Sequence, residues 1–464
     1  MKKKNYSPED VLYKIKQFAK KKNIQVFLVG GYLRDKILKK KNKDIDIVME
    51  NDALAFSKEF ASEYRFQPPV FYGKFGTSMI EIGGVKVEFA TARKESYPEE
   101  SRKPYVDKAT IEEDCSRRDF TINTIMENLI TGEIVDIFEG KQDLKNKIVR
   151  TPINPNKTFY DDPLRILRGI RFATKLRFDI EEETIEGMKK NVSRLKIVSQ
   201  ERITDEVLKT IDSYVPSKGF YLMEEIGILN LILPEVSELK KQVAENCKEL
   251  FPHTLKVMDN TSRRTRNVYL KFAALLHDIG KPKTFKEENG KVSFHRHEFV
   301  GERMAYKICK RMKISDEHTQ FICFLIRHHL RPHLLAKENP TDSALRRFIR
   351  EIGKNFKPLF VLAKSDITSG NPARVEEAIA GLDFIQKRME EINKKDKLTS
   401  FKLAIDGYKV MEIMDFREGR EVGLVKNYLE EIVLDGALGN RKRELTKYLK
   451  ENRDIILESI IGKK

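Results

Sequence analysis

A chain of 464 residues can bury several cores, so two to four domains are expected. Its net charge of +17 points to a polyanionic partner, most simply nucleic acid, although basic residues spread along the whole chain would also serve solubility. No run of about 18 apolar residues occurs, which excludes a helical membrane span, and the opening MKKKNYSPED lacks the apolar stretch of a signal peptide. The four cysteines (Cys115, Cys247, Cys309 and Cys323) form no CxxC pair, suggest no disulfide framework and fit a reducing, cytoplasmic setting.

In chain order, IQVFLV reads as a buried strand, YLRDKILK as a short helix, DIDIVM as a second strand and GGVKVEFAT as a third. EIVDIFEG reads as a further strand ending at a turn near Gly140. The prolines and asparagines of RTPINPNKTF mark a boundary, after which the pattern is almost wholly helical. All eight histidines fall between His253 and His333, so that window has chemistry of its own. The remaining stretch from about 371 is charged and amphipathic, and no internal repeat is present.

The segment LVGGYLRDKILKKKNKDIDIVMEN, residues 28–51, carries the first site. Strand side chains alternate, so Asp44 and Asp46 share one face while Ile45 and Ile47 share the other. Two carboxylates so close repel; a divalent cation such as Mg²⁺ relieves that repulsion and commonly bridges to phosphates. The preceding VGG ends a strand and opens a helix, leaving backbone N–H groups at Gly30 and Gly31 to receive a phosphate, with Arg34 one turn further on. Glu88, on the polar face of its strand, is a candidate third carboxylate for a two-metal site. A bare DxD is by itself an ordinary solvated strand edge, and the upstream Gly-Gly-Arg is what turns the reading toward catalysis.

The helix beginning near Asp162 has its own logic. Asp162, Arg165 and Arg168 follow at i, i+3 spacing and touch along the helix. A carboxylate accepts and an arginine donates, which matches the amino group and ring nitrogen of cytosine or adenine on one edge. Uracil and guanine present a carbonyl beside an N–H there and leave both protein groups mispaired, at roughly 1–3 kcal/mol each. A helix salt-bridge network would give DDPLRILRGIR the same residues.

LVGGYLRD…KDIDIV resembles the polymerase-β-type nucleotidyltransferases, in particular class II tRNA CCA-adding enzymes and bacterial poly(A) polymerases. CSRRDFTINTIM (115–126) resembles the RRDFTINA block of that family, with Thr124 where alanine is usual. IVDIFEGKQDLKNKIVRTP, FYDDPLRILRGIRFATKLRF and SQERITDEVLK resemble its hinge, base-reading and neck segments, with Asp161 where the family usually has Glu. The resemblance runs from 24 to 210 at least. It implies that Asp162 and Arg165 read the incoming base and that Arg168 and Arg171 lie near phosphate or structural partners. It further assigns Arg118 to the triphosphate and Asp119 to positioning or sugar contacts. In the histidine window, His253, His277–Asp278, His297, His329 and Asp366 follow the order of the HD-domain phosphohydrolases, whose ligands suit a divalent transition metal. By that pattern His297 is preferred to His295 and His329 to His328, while His318 and His333 are expected to be structural or surface residues.

The fold class expected is α+β: a polymerase-β-like nucleotidyltransferase α/β head (1–150), then an all-helical neck and RNA-binding body (151–245), HD domain (246–370) and C-terminal tail (371–464). The activity implied is CCA addition to tRNA from CTP and ATP with Mg²⁺, beside a metal-dependent phosphohydrolase site. The alternatives are a poly(A) polymerase and a CC-adding or A-adding enzyme of a split system. The stretch ENDALAFSKEF…FYGKFGTSMIEIGG lacks the arginine-rich GRRF-like run associated with bacterial poly(A) polymerases. No membrane and no protein partner is implied.

Overall fold

Helix α1 (Pro8–Lys22) opens the fold on a capping box, the Ser7 hydroxyl accepting from the Asp10 N–H while the Asp10 carboxylate accepts from Ser7. The computed structural model describes residues 5–73, 76–96, 104–241, 249–396 and 402–461. Cys247, the expected boundary at 245/246 and the Lys74–Phe75 part of the compared stretch lie outside them.

By its internal contacts the chain forms two units, residues 1–240 with 308–315, and residues 241–307 with 316–464. Among the described residues the first contains the short strands β1 (Phe27–Val29), β2 (Asp44–Met49), β3 (Val70–Tyr72), β4 (Thr77–Ile82), β5 (Val85–Thr91), β6 (Arg93–Ser96), β7 (Tyr105–Lys108), β8 (Met126–Asn128) and β9 (Ile134–Val135), and a separate parallel pair, Ile148–Val149 with Asp179–Ile180. Seven of them make one sheet in the order β3-β4-β5-β2-β1-β8-β9, and β6 pairs with β7 as a separate ribbon. Only β2 and β5 run parallel within the large sheet; the other pairs are antiparallel. The sheet therefore has a mixed topology, one face packed on the main core and the other covered in part by a smaller cluster of Phe27, Val29, Val48, Ile111 and Met126. Ile45, Ile47, Val87 and Phe89 point into the core, against Phe18, Phe56 and Phe60 of α1 and α3 (Ala53–Glu63). That packing leaves the opposite face of β2 and β5 for polar side chains.

Helix α2 (Gly30–Ile37) leaves β1 directly and returns the chain to β2. Beyond the sheet come α4 (Ile111–Ser116), α5 (Gly140–Asn146), α6 (Pro155–Asp161) and α7 (Leu164–Leu176). The apolar face of α7 is fully buried through Ile166, Leu167, Ile170 and Ala173, so its arginines are fixed in direction by the core beneath them. The second unit is helical apart from one hairpin, Lys286–Glu288 with Lys291–Ser293, among the described residues. Its last helices close a core of their own around Val410, Val425, Leu429, Leu445 and Leu449.

Candidate active sites in the head and in the histidine cluster

The register of β2 on β5 sets Asp46 opposite Glu88, with Asp44 two residues away on the same face. Gly30 adopts φ +71°, and a Cβ there would stand 2.8 Å from Asp46 Oδ2. Only glycine combines that left-handed backbone with so close an approach to the carboxylate. The Gly31 N–H donates to the Asp46 carboxylate. Burial and the Glu88 carboxylate push the Asp46 carboxyl up to about 6, against the pull of Arg118 and of the Gly31 N–H. Asp44, Asp46 and Glu88 thus lie on one face near a helix N-terminus, Asp44 and Glu88 exposed, and carboxylate oxygens are the donors a hard divalent cation takes.

The arginines expected to meet phosphate and base are tied into a network behind this face. Arg34 is buried, donating to Asp35 Oδ1 at 2.7 and 2.9 Å and to Asn123 Oδ1 at 2.8 Å. Asn123 donates to Asp119 Oδ1 at 2.9 Å, and Arg168 grips Asp119 Oδ2 through Nε and Nη2 at 2.8 and 2.6 Å. Burial raises the Asp119 carboxyl, but Arg168 and the Asn123 amide outweigh it and hold the group down to about 2. Arg118 is paired with Asp114 Oδ2 at 2.8 Å while lying near enough to Asp46 to bias it. Arg165 donates to the Arg117 carbonyl at 2.6 Å, and Arg171 to Glu206 Oε2 at 2.6 Å. Asp162 ends α6 and caps the following turn, its Oδ1 accepting from the Leu164 N–H at 3.1 Å.

Asp35, Asp114, Asn123 and Glu206 are thus partners that sequence reasoning passed over. The first three lie inside or beside the quoted GGYLRD and SRRDFTIN blocks, so their proximity to a named arginine was the available signal. Glu206 sits 35 residues beyond Arg171, and nothing local pairs them.

In the second unit, the helix Leu250–Arg264 supplies His253, the turn after Val268–Leu276 supplies His277 and Asp278, His297 begins the helix His297–Arg311, His329 follows Asp316–His328, and Asp366 ends Phe356–Asp366. All six fall in two groups of three, His253–His277–Asp366 and Asp278–His297–His329. Asp278 joins them: Oδ2 lies 3.4 and 3.3 Å from the Nε2 atoms of His253 and His277, and Oδ1 lies 3.4 and 3.8 Å from those of His297 and His329. Gly280 makes this possible, since a Cβ there would fall 2.2 Å from the His297 carbonyl oxygen.

The hydrogen bonds decide which nitrogens converge. His277, His297 and His329 turn Nδ1 to the carbonyls of Ala274, Phe294 and Ile326 at 2.7–2.9 Å, which places a proton on Nδ1 and turns Nε2 into the cluster. The Nε2 atoms of His297 and His329 then face each other at 3.3 Å, and His277 Nε2 is buried without a hydrogen-bond donor. Ring nitrogens directed at one another and at two carboxylates are held by a shared positive charge, a proton or a metal ion. Burial disfavours charge on His277, yet Asp278 and Asp366 outweigh it and push that imidazole up to about 10. Burial and the charged His277 push His329 down to about 3. The pocket demands positive charge, and this donor set fits a divalent metal on each side of Asp278.

Of the other histidines, His295 is exposed, His318 stacks on Tyr269 at 3.6 Å between ring centroids, and His328 lies against Phe324 and 3.5 Å from Glu351. His333 was expected at the surface or in a structural role; its Nε2 lies buried 3.8 Å from Asp366 Oδ2. Lys281, which donates to Asp278 Oδ2 at 2.6 Å, is a further residue of this pocket that sequence reasoning did not single out.

Three families match successive parts of the chain: the Poly A polymerase head domain at 26–150, the probable RNA and SrmB- binding site of polymerase A at 177–240, and the HD domain at 250–355. The A-adding tRNA nucleotidyltransferase of Aquifex aeolicus (strain VF5) is 40% identical over 189 residues, covering 40% of this chain and 23% of that protein. The Multifunctional CCA protein of Aliivibrio salmonicida (strain LFI1238) is 32% identical over 324 residues, covering 67% of this chain and 76% of that protein. Among solved structures, a CCA-adding enzyme in its apo form II matches with a TM-score of 0.64 at 22% identity, over 99% of this chain and 97% of that one, a likeness of fold. A head of the poly(A) polymerase type, an RNA-binding segment and an HD domain follow one another here, and the chain belongs to the family of the multifunctional CCA proteins.

Proposed function

We propose that this chain is a CCA tRNA nucleotidyltransferase, extending tRNA 3′ ends from CTP and ATP without a nucleic-acid template, and that its histidine cluster is a second, metal-dependent phosphohydrolase site. The observation that carries the first part is the placement of Asp44, Asp46 and Glu88 on one face of β2 and β5, with Asp46 against the Gly30 turn. These residues would hold Mg²⁺, which when bound neutralises a triphosphate and acidifies the primer hydroxyl. Gly30 clears the space beside Asp46, and Arg118 adds a positive charge facing it. Asp162 and Arg165, at the start of α7, would select cytosine and adenine, with Arg165 steadied by the Arg117 carbonyl. Asp119 and Arg168 would fix α7 to the head so that the selecting pair stays in register with the carboxylates. The tRNA would be held through its phosphates by basic surface, since duplex RNA is recognised mainly by shape and backbone.

In the HD domain the six histidine and aspartate side chains would hold divalent transition metals, which when bound supply an activated water for phosphate esters. No helix among the described residues is long and apolar enough to cross a membrane, and Cys115, Cys309 and Cys323 are buried free thiols, which supports a cytoplasmic setting.

A second reading, addition of the terminal A alone, is favoured by the 40% identity to the Aquifex A-adding protein. Primer extension separates the two. Purified protein with Mg²⁺ is given tRNA transcripts ending before CCA, after C or after CC, with each nucleotide alone and CTP with ATP together. Addition of C, C and A followed by arrest is expected. Addition of A only to the CC-ending transcript establishes the second reading, and long adenosine tails would refute both.

A further inference from the structure

We propose that His333 is a positioning residue of the histidine-cluster metal centre, holding the outer oxygen of Asp366 so that the inner one stays directed at the metal beside His253 and His277. The inference rests on the reading that His253, His277 and Asp366 hold a divalent cation. Asp366 Oδ1 faces the Nε2 atoms of His253 and His277 at 3.1 and 3.3 Å. Its Oδ2 faces His333 Nε2 at 3.8 Å. That nitrogen is buried and has no hydrogen-bond partner. A buried imidazole nitrogen without a partner is costly, and a partly exposed carboxylate whose second oxygen is unanchored is free to turn.

The unpartnered nitrogen faces that oxygen, and one hydrogen bond would serve both groups. The distance is just beyond hydrogen-bond reach, and small shifts of the two side chains together close it. With its proton on Nε2, His333 donates to Oδ2, and Asp366 is fixed from behind in the manner of outer-shell partners at metal sites. The local sequence supports this aim: Pro332 stands in the first turn of the helix Arg331–Glu338, which starts just after His329, so His333 is carried in by the same turn that delivers a proposed ligand.

The test is a calorimetric titration of Mn²⁺ into chelator-stripped full-length protein, comparing the wild type with His333→Ala, His333→Gln and His253→Ala. Glutamine can place its amide N–H₂ where the imidazole Nε2 stands. The head carboxylates contribute equally to all four proteins, so the difference from His253→Ala reports the histidine cluster. His333→Ala is expected to weaken Mn²⁺ binding there by about 10- to 100-fold, and His333→Gln to restore most of it. Nucleotide addition by the head checks folding and is expected to match the wild type in each variant. Wild-type affinity in His333→Ala would overturn the proposal, as would equal losses in Ala and Gln, which mean packing alone. Identical titrations of the wild type and His253→Ala would instead remove the metal-centre reading on which it rests.

Discussion

At Gly30 a single hydrogen in place of a methyl group keeps a carboxylate in place. Alanine there would have to hold φ near +71° and find room 2.8 Å from Asp46 Oδ2. The backbone strain alone costs about 1–2 kcal/mol, too little to unfold a typical domain. Displacing a catalytic group by about 1 Å, however, costs on the order of 100-fold in rate. Gly30→Ala is therefore expected to lower kcat for nucleotide incorporation by roughly that factor while leaving a cooperative thermal transition; stopped single-nucleotide kinetics beside a melting curve check it, and unchanged kcat would contradict the assigned packing. Much of this was legible beforehand. Alternation placed Asp44, Asp46 and Glu88 on polar faces, because a half-buried sheet writes its period of two into the sequence. The pairing of β2 with β5 was not, since strand order depends on contacts between segments some 40 residues apart, and strands of two or three residues such as β8 and β9 have no period to read.

At the scale of the element, α7 is joined to the head through its Arg168–Asp119 pair, with Asn123 and Arg34 behind it. Asp119 is buried and its folded pKa, about 2, lies below the ordinary 3.8. A depressed carboxylate contributes stability that is present above its unfolded pKa and lost as pH falls through the folded value. The window is thus about pH 4 down to pH 2, and the contribution is about 2 kcal/mol. Asp119→Asn should flatten the loss of stability across that window in urea unfolding at stepped pH; an acid limb as steep as in the wild type would exclude Asp119 as its source. Arg168→Ala, leaving Asp119 buried with only amide partners, should cost roughly 1–3 kcal/mol at neutral pH, the partial exposure of Arg168 moderating the loss. The row of arginines was readable from i, i+3 spacing, but not their partners. Helical spacing shows which side chains share a face, whereas Asp119 and Glu206 come to that face from other segments.

At the scale of the whole molecule, the charge of +17 is a statement about a polyanion. If tRNA is held mainly through phosphates, the logarithm of its affinity should fall linearly with the logarithm of salt concentration, with a slope of about −0.7 to −0.9 per phosphate contact. Filter binding between 50 and 200 mM salt, on the order of the range where such losses reach 10³-fold or more, measures it. A flat dependence would remove the backbone-contact account. The histidine cluster shows how far order along a chain can go: six side chains spread between residues 253 and 366 meet around Asp278, yet the sequence could not show that this carboxylate faces both groups, nor that His333 turns inward.

The two chemistries are assigned to separate side-chain sets in separate units, and that separation is the claim to test. The measurement is a crossed assay of Asp44→Ala/Asp46→Ala and His277→Ala/Asp278→Ala, each examined for CCA addition and for hydrolysis of a 2′,3′-cyclic phosphate RNA end. The first double variant is expected to lose addition and keep hydrolysis, and the second to do the reverse. Loss of both activities in either variant, with the fold intact by circular dichroism, would contradict two independent sites.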